Sequence, residues 1–112
     1  MPIQYKLRIT KAAETDINAA VNNIDNVLLN PSAADAMLDE LEQKANDLVC
    51  MSKKYAVADD EILRSWGIRF LTVKKYLLFF VIREESSTVY IIRFMHERRN
   101  WTAILQRGIS LE

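Results

Sequence analysis

Residues 76–82 read Tyr-Leu-Leu-Phe-Phe-Val-Ile and form the longest uninterrupted apolar run of the chain. Apolar side chains at every position bury both faces of a strand, so this segment is predicted to be a central strand of a sheet. The run is much shorter than the roughly 20 residues that a helix needs to cross a bilayer. We therefore expect a packed sheet at the centre of the protein and no membrane partner.

Two further strands are predicted next to this run. Ile68–Val73 is rich in β-branched and aromatic residues, and Thr88–Met95 reads Thr-Val-Tyr-Ile-Ile-Arg-Phe-Met. The short gaps between the three segments favour hairpins, and hence antiparallel neighbours. In the last strand, regular alternation places Arg93 on the same face as Ile91.

The first part of the chain predicts one strand and two helices. Ile3–Ile9 alternates apolar and polar residues, which is typical of a half-buried strand. Thr10 can cap the helix that follows, and Asn30 with Pro31 can start a second one. Each helix has one apolar stripe, and the stripes comprise Ala13, Ile17, Ala20, Val21, Ile24 and Leu28, and Ala34, Met37, Leu38, Leu41, Ala45 and Leu48. Because the break between them is short, an antiparallel helix hairpin is expected.

The order of elements predicts the fold class. Ser52–Trp66 has no clear period and is interpreted as an irregular connection, and the spacing around Trp101 predicts a short C-terminal helix. We predict one α+β domain over residues 1–112, in the order β-α-α-β-β-β-α. It has a four-stranded antiparallel sheet, an N-terminal α-hairpin on one face and a short C-terminal helix. The hairpin is expected to return the chain to the end of the sheet that the first strand left, so that the first and second strands run in opposite directions.

Charge is balanced overall but is divided unevenly along the chain. The protein has 15 basic and 15 acidic residues; residues 1–63 carry a net charge of −5 and residues 64–112 one of +5. The late arginines suit bidentate contacts to phosphate or carboxylate, and we expect them to share one surface: Arg64, Arg69, Arg83, Arg93, Arg98, Arg99 and Arg107. The single cysteine and single histidine offer no disulfide and no cluster of metal ligands. We expect a cytoplasmic protein without a metal or another cofactor.

Four segments together resemble the RelE/ParE superfamily of toxins from bacterial type II toxin–antitoxin modules. They are Tyr5-x-Leu7-x-Ile9-Thr10-x-x-Ala13-x-x-Asp16-Ile17, Leu29-Asn30-Pro31-x-x-Ala34, Gly67-Ile68-Arg69-x-Leu71-x-Val73-x-x-Tyr76-Leu77-Leu78-Phe79-Phe80 and Val89-x-Ile91-x-Arg93-x-Met95-His96-x-Arg98-Arg99-Asn100-Trp101. The resemblance covers nearly the whole chain. It implies a growth-inhibiting toxin that a cognate antitoxin protein holds silent.

The resemblance implies two different mechanisms. RelE-like members cleave mRNA on the ribosome, whereas ParE-like members poison DNA gyrase by binding it. RelE-like enzymes commonly have an arginine on the second strand of the meander and an arginine with a tyrosine near the C-terminus. Here the matching strand positions are Leu77 and Leu78, and Trp101 and Thr102 stand in place of the tyrosine. We therefore place the chain closer to the ParE-like branch, and predict that it binds gyrase without bond chemistry of its own.

Two alternatives remain open at this stage. If the protein is a ribonuclease acting on mRNA at the ribosome, the candidate catalytic residues are His96, Arg69, Arg93 and Arg98. A lone histidine at a strand end is also commonly structural. The other alternative is a degenerate member that binds the antitoxin but has little toxicity. The candidate residues for binding a target or a phosphate are Arg69, Arg93, Arg98, Arg99 and Trp101, although Trp101 also fits a place in the core.

Overall fold

The computed structural model describes residues 4–24 and 29–112, so the predicted strand start at Ile3 and the stripe residue Leu28 lie outside the described residues. It has a four-stranded sheet in the spatial order β1-β4-β3-β2. The strands are β1 Lys6–Ile9, β2 Arg69–Val73, β3 Tyr76–Arg83 and β4 Thr88–His96. The predicted α+β class, with its strand meander and its helices, is confirmed.

Helices cover both faces of the sheet. Helices α1 Lys11–Asn22 and α2 Pro31–Met51 pack on one face, and the short helices α3 Glu61–Ser65 and α4 Trp101–Gln106 pack on the other. Leu78 and Phe80 of β3 enter the first apolar cluster, and Phe79 and Val81 enter the second. The prediction that both faces of β3 are buried is therefore confirmed. None of the helices in the described ranges is long and apolar enough to span a membrane.

The expectation of a fully antiparallel sheet is wrong, because β1 lies parallel to β4. The cause is the course of α1. Strand β1 ends level with Ile91, and α1 continues in the same direction beside β4, where Asp16 contacts Phe94. Helix α2, about 31 Å long at 1.5 Å per residue, then returns the chain until the carbonyl oxygen of Val49 accepts a hydrogen bond from Tyr5 N. The chain thus enters β2 from the end of the sheet where β1 began, and these two strands run in the same direction.

Local capping explains where the helices begin. Thr10 Oγ1 accepts a hydrogen bond from Ala13 N at 3.2 Å, and Asn30 Oδ1 accepts one from Ala33 N at the same distance. Both predicted caps are confirmed, because a cap depends only on the neighbouring residues.

The connection between α2 and β2 is more ordered than its sequence indicates. It contains a 3-10 turn at Ser52–Lys54 and helix α3. Asp60 caps α3 by accepting from the backbone of Leu63, and it also accepts from the side chain of Gln106 on α4. Helix α3 has five residues with one buried side chain, Leu63, so it is too short for a periodic pattern to reveal it.

Candidate functional site

Arg93 is held by an acidic residue of α1. The register of β3 and β4 shifts at Phe79/Phe80, so that Ile92 is an extra residue between Ile91 and Arg93. Arg93 Nε and Nη2 donate to the two oxygens of Asp16 at 2.6 and 3.1 Å, and Phe94 N donates to the same carboxylate at 3.0 Å. The prediction that Arg93 shares a face with Ile91 is wrong, because the bulge pairs Arg93 with Phe79 of the second apolar cluster and Ile91 with Phe80 of the first. The guanidinium is already paired, so it is not free to bind a phosphate without losing Asp16.

Arg69 is held by backbone carbonyls. Its Nη1 donates to the carbonyl oxygen of Tyr55 at 2.7 Å and lies 3.4 Å from that of Lys53. These contacts attach the segment after α2 to the start of β2. Arg69 is half-buried, so its first role in the structure is to support this junction.

The half-buried His96 and the exposed Arg98 and Arg99 lie together where β4 ends, and we call them the β4-end cluster. His96 Nδ1 accepts a hydrogen bond from Arg98 N at 3.1 Å, so a neutral imidazole carries its proton on Nε2. The imidazole packs edge-on against Tyr76 at 5.3 Å. Neither arginine side chain has an ion pair or hydrogen bond within the part of the chain that the structure describes. The cluster borders a cleft of about 290 Å³ that Asp16 and Tyr76 also line.

The structure does not bring the predicted catalytic residues together. Arg69 pairs with Phe80, which in turn lies beside Ile91, five residues before His96 on β4. One of these five residues is the extra residue of the bulge, so at about 3.3 Å per strand residue Arg69 is on the order of 13 Å from the level of His96 along the sheet. Arg64 is ion-paired to Asp59 beside α3, again away from the β4-end cluster. The expectation of one arginine surface is wrong, because strand register and the bulge distribute these residues over the sheet.

Trp101 belongs to the core of the second face. Its ring lies 6.4 Å from that of Phe70 and 5.3 Å from that of Phe79. Leu77 and Leu78, which occupy the strand positions where RelE-like enzymes have an arginine, are both buried. The ribonuclease hypothesis needs polar groups on β3 and near the C-terminus. The side chains at these positions, Leu77, Leu78 and Trp101, instead pack against other apolar side chains.

An apolar groove beside β1 was missed by the sequence analysis. It has a volume of about 490 Å³ and lies between β1, α1 and α2, with Leu7, Ile9, Leu38, Leu41 and Ala45 among its lining residues. Ile9 is 51% exposed and Leu38 is 37% exposed, although both belong to predicted apolar faces. A sequence pattern identifies an apolar face, but it does not tell a face packed in the core from one left open for a partner.

The outer edge of β1 adds hydrogen-bonding groups to this groove. The backbone N–H groups of Lys6 and Thr10 donate to Ser87 and Ile91 at the β4 side. Neighbouring residues in a strand direct their backbone N–H and C=O groups to opposite edges of the strand. The backbone groups of Leu7 and Ile9 therefore point to the outer edge of β1, next to the groove that their side chains line. The arrangement offers apolar contact and a strand edge to the same partner segment.

No metal centre is found in this part of the molecule. Among residues 4–24 and 29–112, no group of three or more histidine, cysteine, aspartate or glutamate side chains is placed to hold a metal ion. Asp60, in the acidic run Asp59-Asp60-Glu61, serves as a helix cap.

Comparison with solved structures supports the fold. A chain of the chromosomal ParDE toxin–antitoxin system from P. aeruginosa is 20% identical, with a TM-score of 0.66, and the alignment covers 83% of this chain and 96% of that chain. A chain of the RelBE2 toxin–antitoxin complex from Mycobacterium tuberculosis is 23% identical, with a TM-score of 0.58 and coverage of 84% and 92%. At these identities the likeness concerns the fold alone.

Comparison at the sequence level identifies the family. No curated protein sequence is significantly similar to the chain. The profile of the ParE toxin of the type II toxin–antitoxin system parDE, however, matches residues 7–101, from β1 to the start of α4. Since this match covers most of the chain, the protein belongs to the ParE toxin family of type II toxin–antitoxin systems.

Proposed function

We propose that the protein is a cytoplasmic toxin that stops growth by binding DNA gyrase, and that a cognate antitoxin neutralises it. The match to the ParE family over residues 7–101 is the observation that carries this proposal. The candidate target contacts are Arg98 and Arg99, whose exposed guanidinium groups are free to pair with carboxylates or phosphates. Arg69, Arg93 and Trp101 would contribute indirectly, by supporting the sheet that positions them.

The arrangement of the candidate acid–base groups favours binding over RNA cleavage. Cleavage through the 2′-hydroxyl needs a base, an acid and charge stabilisation at one phosphate. His96 and Arg98 are neighbours, but Arg69 is on another part of the sheet and Arg93 is paired with Asp16. A ribonuclease would have to work with a smaller set of groups.

The groove beside β1 suits the antitoxin. A segment of a partner chain can pair with the open edge of β1 while its apolar side chains cover Ile9 and Leu38. Glu14 and Glu42 line the same groove and favour basic residues at its rim. A segment that folds on binding can bury both features at once.

One observation keeps RNA cleavage at the ribosome as the second candidate. The β4-end cluster joins the only histidine of the sequence to two arginines that have no side-chain partner within residues 4–24 and 29–112, beside an aromatic ring and a cleft. Imidazole is suited to proton transfer near neutral pH, and two arginines can hold a phosphate.

Two assays with purified protein separate these functions. The first measures inhibition of gyrase supercoiling, and the second measures mRNA cleavage on translating ribosomes. We expect loss of supercoiling and no cleavage; unimpaired supercoiling at toxin excess would contradict the gyrase proposal. The variant His96→Ala should inhibit gyrase like the wild type, whereas a ribonuclease would lose on the order of 10²–10⁴-fold in rate. A chain that binds the antitoxin but neither arrests growth nor affects either assay would be a degenerate toxin.

A further inference from the structure

A second cleft lies at the end of the sheet opposite to His96, where Arg83 pairs with Thr88. It has a volume of about 400 Å³ and is lined by Ser65, Trp66, Arg83, Gly108 and Ile109. We call it the Trp66 cleft. Trp66 directly follows α3 and is 36% exposed, and Ile62, one helical turn earlier, is 47% exposed. Ile62 does not line the cleft, but its aliphatic side chain and the indole ring of Trp66 are both exposed at the end of α3 beside it.

Arg83 has no partner for its charge among the described residues. The residue is half-buried, its side chain makes no hydrogen bond or ion pair there, and its backbone carbonyl accepts a hydrogen bond from Ser86 Oγ. Arg64 and Arg93, by contrast, are each paired with an aspartate. A guanidinium without an acceptor in its own chain is available to an incoming carboxylate, which it can bind through two parallel hydrogen bonds.

We propose that the Trp66 cleft is a contact surface for the protein target of the toxin. A carboxylate of the target pairs with Arg83, and an apolar side chain of the target packs against Trp66 and Ile62. This inference rests on the proposed function, because it assumes a toxin that acts by binding a protein. Tryptophan and arginine are the residue types that contribute most binding energy at protein interfaces.

The charges around the cleft favour a protein over a nucleic acid. Arg107 directly precedes the cleft residue Gly108, Glu84 and Glu85 follow Arg83 directly, and Glu61 lies in the first turn of α3. Binding to nucleic acid depends on several lysines and arginines that together neutralise a row of phosphates. Two arginines, Arg83 and Arg107, with carboxylates close by in the chain do not meet that requirement, whereas they suit the carboxylates of a protein.

The position of the cleft favours the target over the antitoxin. The groove proposed for the antitoxin lies between β1, α1 and α2, and none of its lining residues lines the Trp66 cleft. The Trp66 cleft is formed by the ends of α3 and β3 and by the chain after α4. Substitutions there should therefore change target binding without changing antitoxin binding.

The test uses the full chain with the substitutions Trp66→Ala and Arg83→Ala, with Arg8→Ala as the matched control. Arg8 is an exposed arginine on β1 that lines neither the groove nor the Trp66 cleft. Growth arrest is measured on induction, and supercoiling inhibition is measured with purified gyrase. Folding is checked by urea unfolding, and antitoxin binding by neutralisation with the partner encoded beside the toxin gene. Trp66→Phe and Arg83→Lys serve as conservative variants that keep an aromatic ring or a charge.

We expect Trp66→Ala and Arg83→Ala to raise the toxin concentration needed for half inhibition by on the order of 10- to 30-fold, with folding and neutralisation unchanged. The two conservative variants should recover part of that loss. Variants that arrest growth as the wild type does would overturn the inference. Alanine variants that escape neutralisation by the antitoxin but stay toxic would also overturn it. RNA binding by the wild type that Arg83→Ala abolishes would do the same.

The failure of the proposed function has a different signature. If the wild type arrests growth but leaves gyrase active, the gyrase proposal fails, and loss of arrest in the two alanine variants still supports the Trp66 cleft as the contact with another target. If the wild type does not arrest growth at all, both proposals fail.

Discussion

Asp16 and Arg93 are 77 positions apart in the chain and are joined by two hydrogen bonds between carboxylate and guanidinium, of 2.6 and 3.1 Å. The pair lies where β4 continues beyond the end of β1. There the carboxylate also accepts a hydrogen bond from Phe94 N, a backbone group that would otherwise bond to a neighbouring strand. Thr10 acts similarly six residues earlier, since its hydroxyl donates to the carbonyl oxygen of Ile92. Helix α1 thus continues the edge contacts that β1 begins.

Removal of Asp16 should destabilise the protein strongly. The side chains of Asp16 and Arg93 are 12% and 26% exposed, so Asp16→Ala leaves a largely buried guanidinium and a backbone N–H without their acceptor. We expect a loss of about 2–4 kcal/mol in the free energy of unfolding, somewhat less than for a fully buried ion pair. Urea unfolding measures this. Thr15→Ala, on the exposed side of α1, is the control and should change stability by no more than about 0.5 kcal/mol. Equal stability of the two variants would show that the pair is unimportant.

This pair also illustrates what the sequence could and could not predict. The caps at Thr10 and Asn30 were predictable because each depends on residues three positions away. The partner of Arg93 was not predictable, because no local pattern connects it to Asp16. The bulge at Ile92 likewise depends on how two strands pair. The parallel placement of β1 depends on α1 running forward along β4, which helix periodicity does not encode.

Acid should weaken the attachment of the segment after α2. Hydrogen bonds, from Lys54 first and then from Tyr55, lower the pKa of Asp47, and those from Lys53 and then Tyr5 lower that of Glu84. Since these carboxyl pKa values are lower in the folded state than in the unfolded chain, the stabilisation is present above about pH 4 and is lost as the pH falls through the folded values.

The same contacts predict no loss of stability between neutral pH and pH 9. The pKa values of Lys53 and Lys54 are raised by their hydrogen bonds to Glu84 and Asp47, respectively, so this stabilisation persists until the pH exceeds about 10. Urea midpoints between pH 2 and pH 9 measure the profile. They should be flat from pH 5 to pH 9 as far as these groups are concerned, and Glu84→Gln should reduce the fall at acid pH. A midpoint that does not change down to pH 2 would contradict the assignment.

A charged substitution in the groove beside β1 should weaken neutralisation by the antitoxin and leave toxicity unchanged. Ile9 and Leu38 are exposed apolar side chains of this groove, and a lysine at either position would meet the apolar side of a partner segment. We expect Ile9→Lys and Leu38→Lys to weaken antitoxin binding by on the order of 10-fold or more, while growth arrest persists. Binding is measured by titration calorimetry and neutralisation by co-expression. Met51→Lys is the control, because Met51 is equally exposed at the end of α2 but does not line the groove. Full neutralisation of both variants would show that the antitoxin binds another surface.

The candidate site was only partly predictable for a related reason. His96, Arg98 and Arg99 are close together in sequence, and the structure keeps them together. Arg69 and Trp101 were assigned from residue type and resemblance, and their neighbours in space give them other contacts. The Trp66 cleft and the groove beside β1 arise from what is left uncovered after packing, and a sequence pattern carries little information about that.

Trp101 should contribute to the stability of the fold and should not contact the target directly. Its ring packs against Phe70 and Phe79 under the second face of the sheet, so Trp101→Ala should lower the free energy of unfolding by about 3–5 kcal/mol and reduce toxicity only through loss of folded protein. Trp101→Phe retains an aromatic ring in the same place, and should keep most of the stability and the same half-inhibitory concentration as the wild type. Urea unfolding and supercoiling inhibition, measured on the same preparation, test both statements. A Trp101→Phe variant that is as stable as the wild type but at least 10-fold less inhibitory would assign the indole a direct contact with the target.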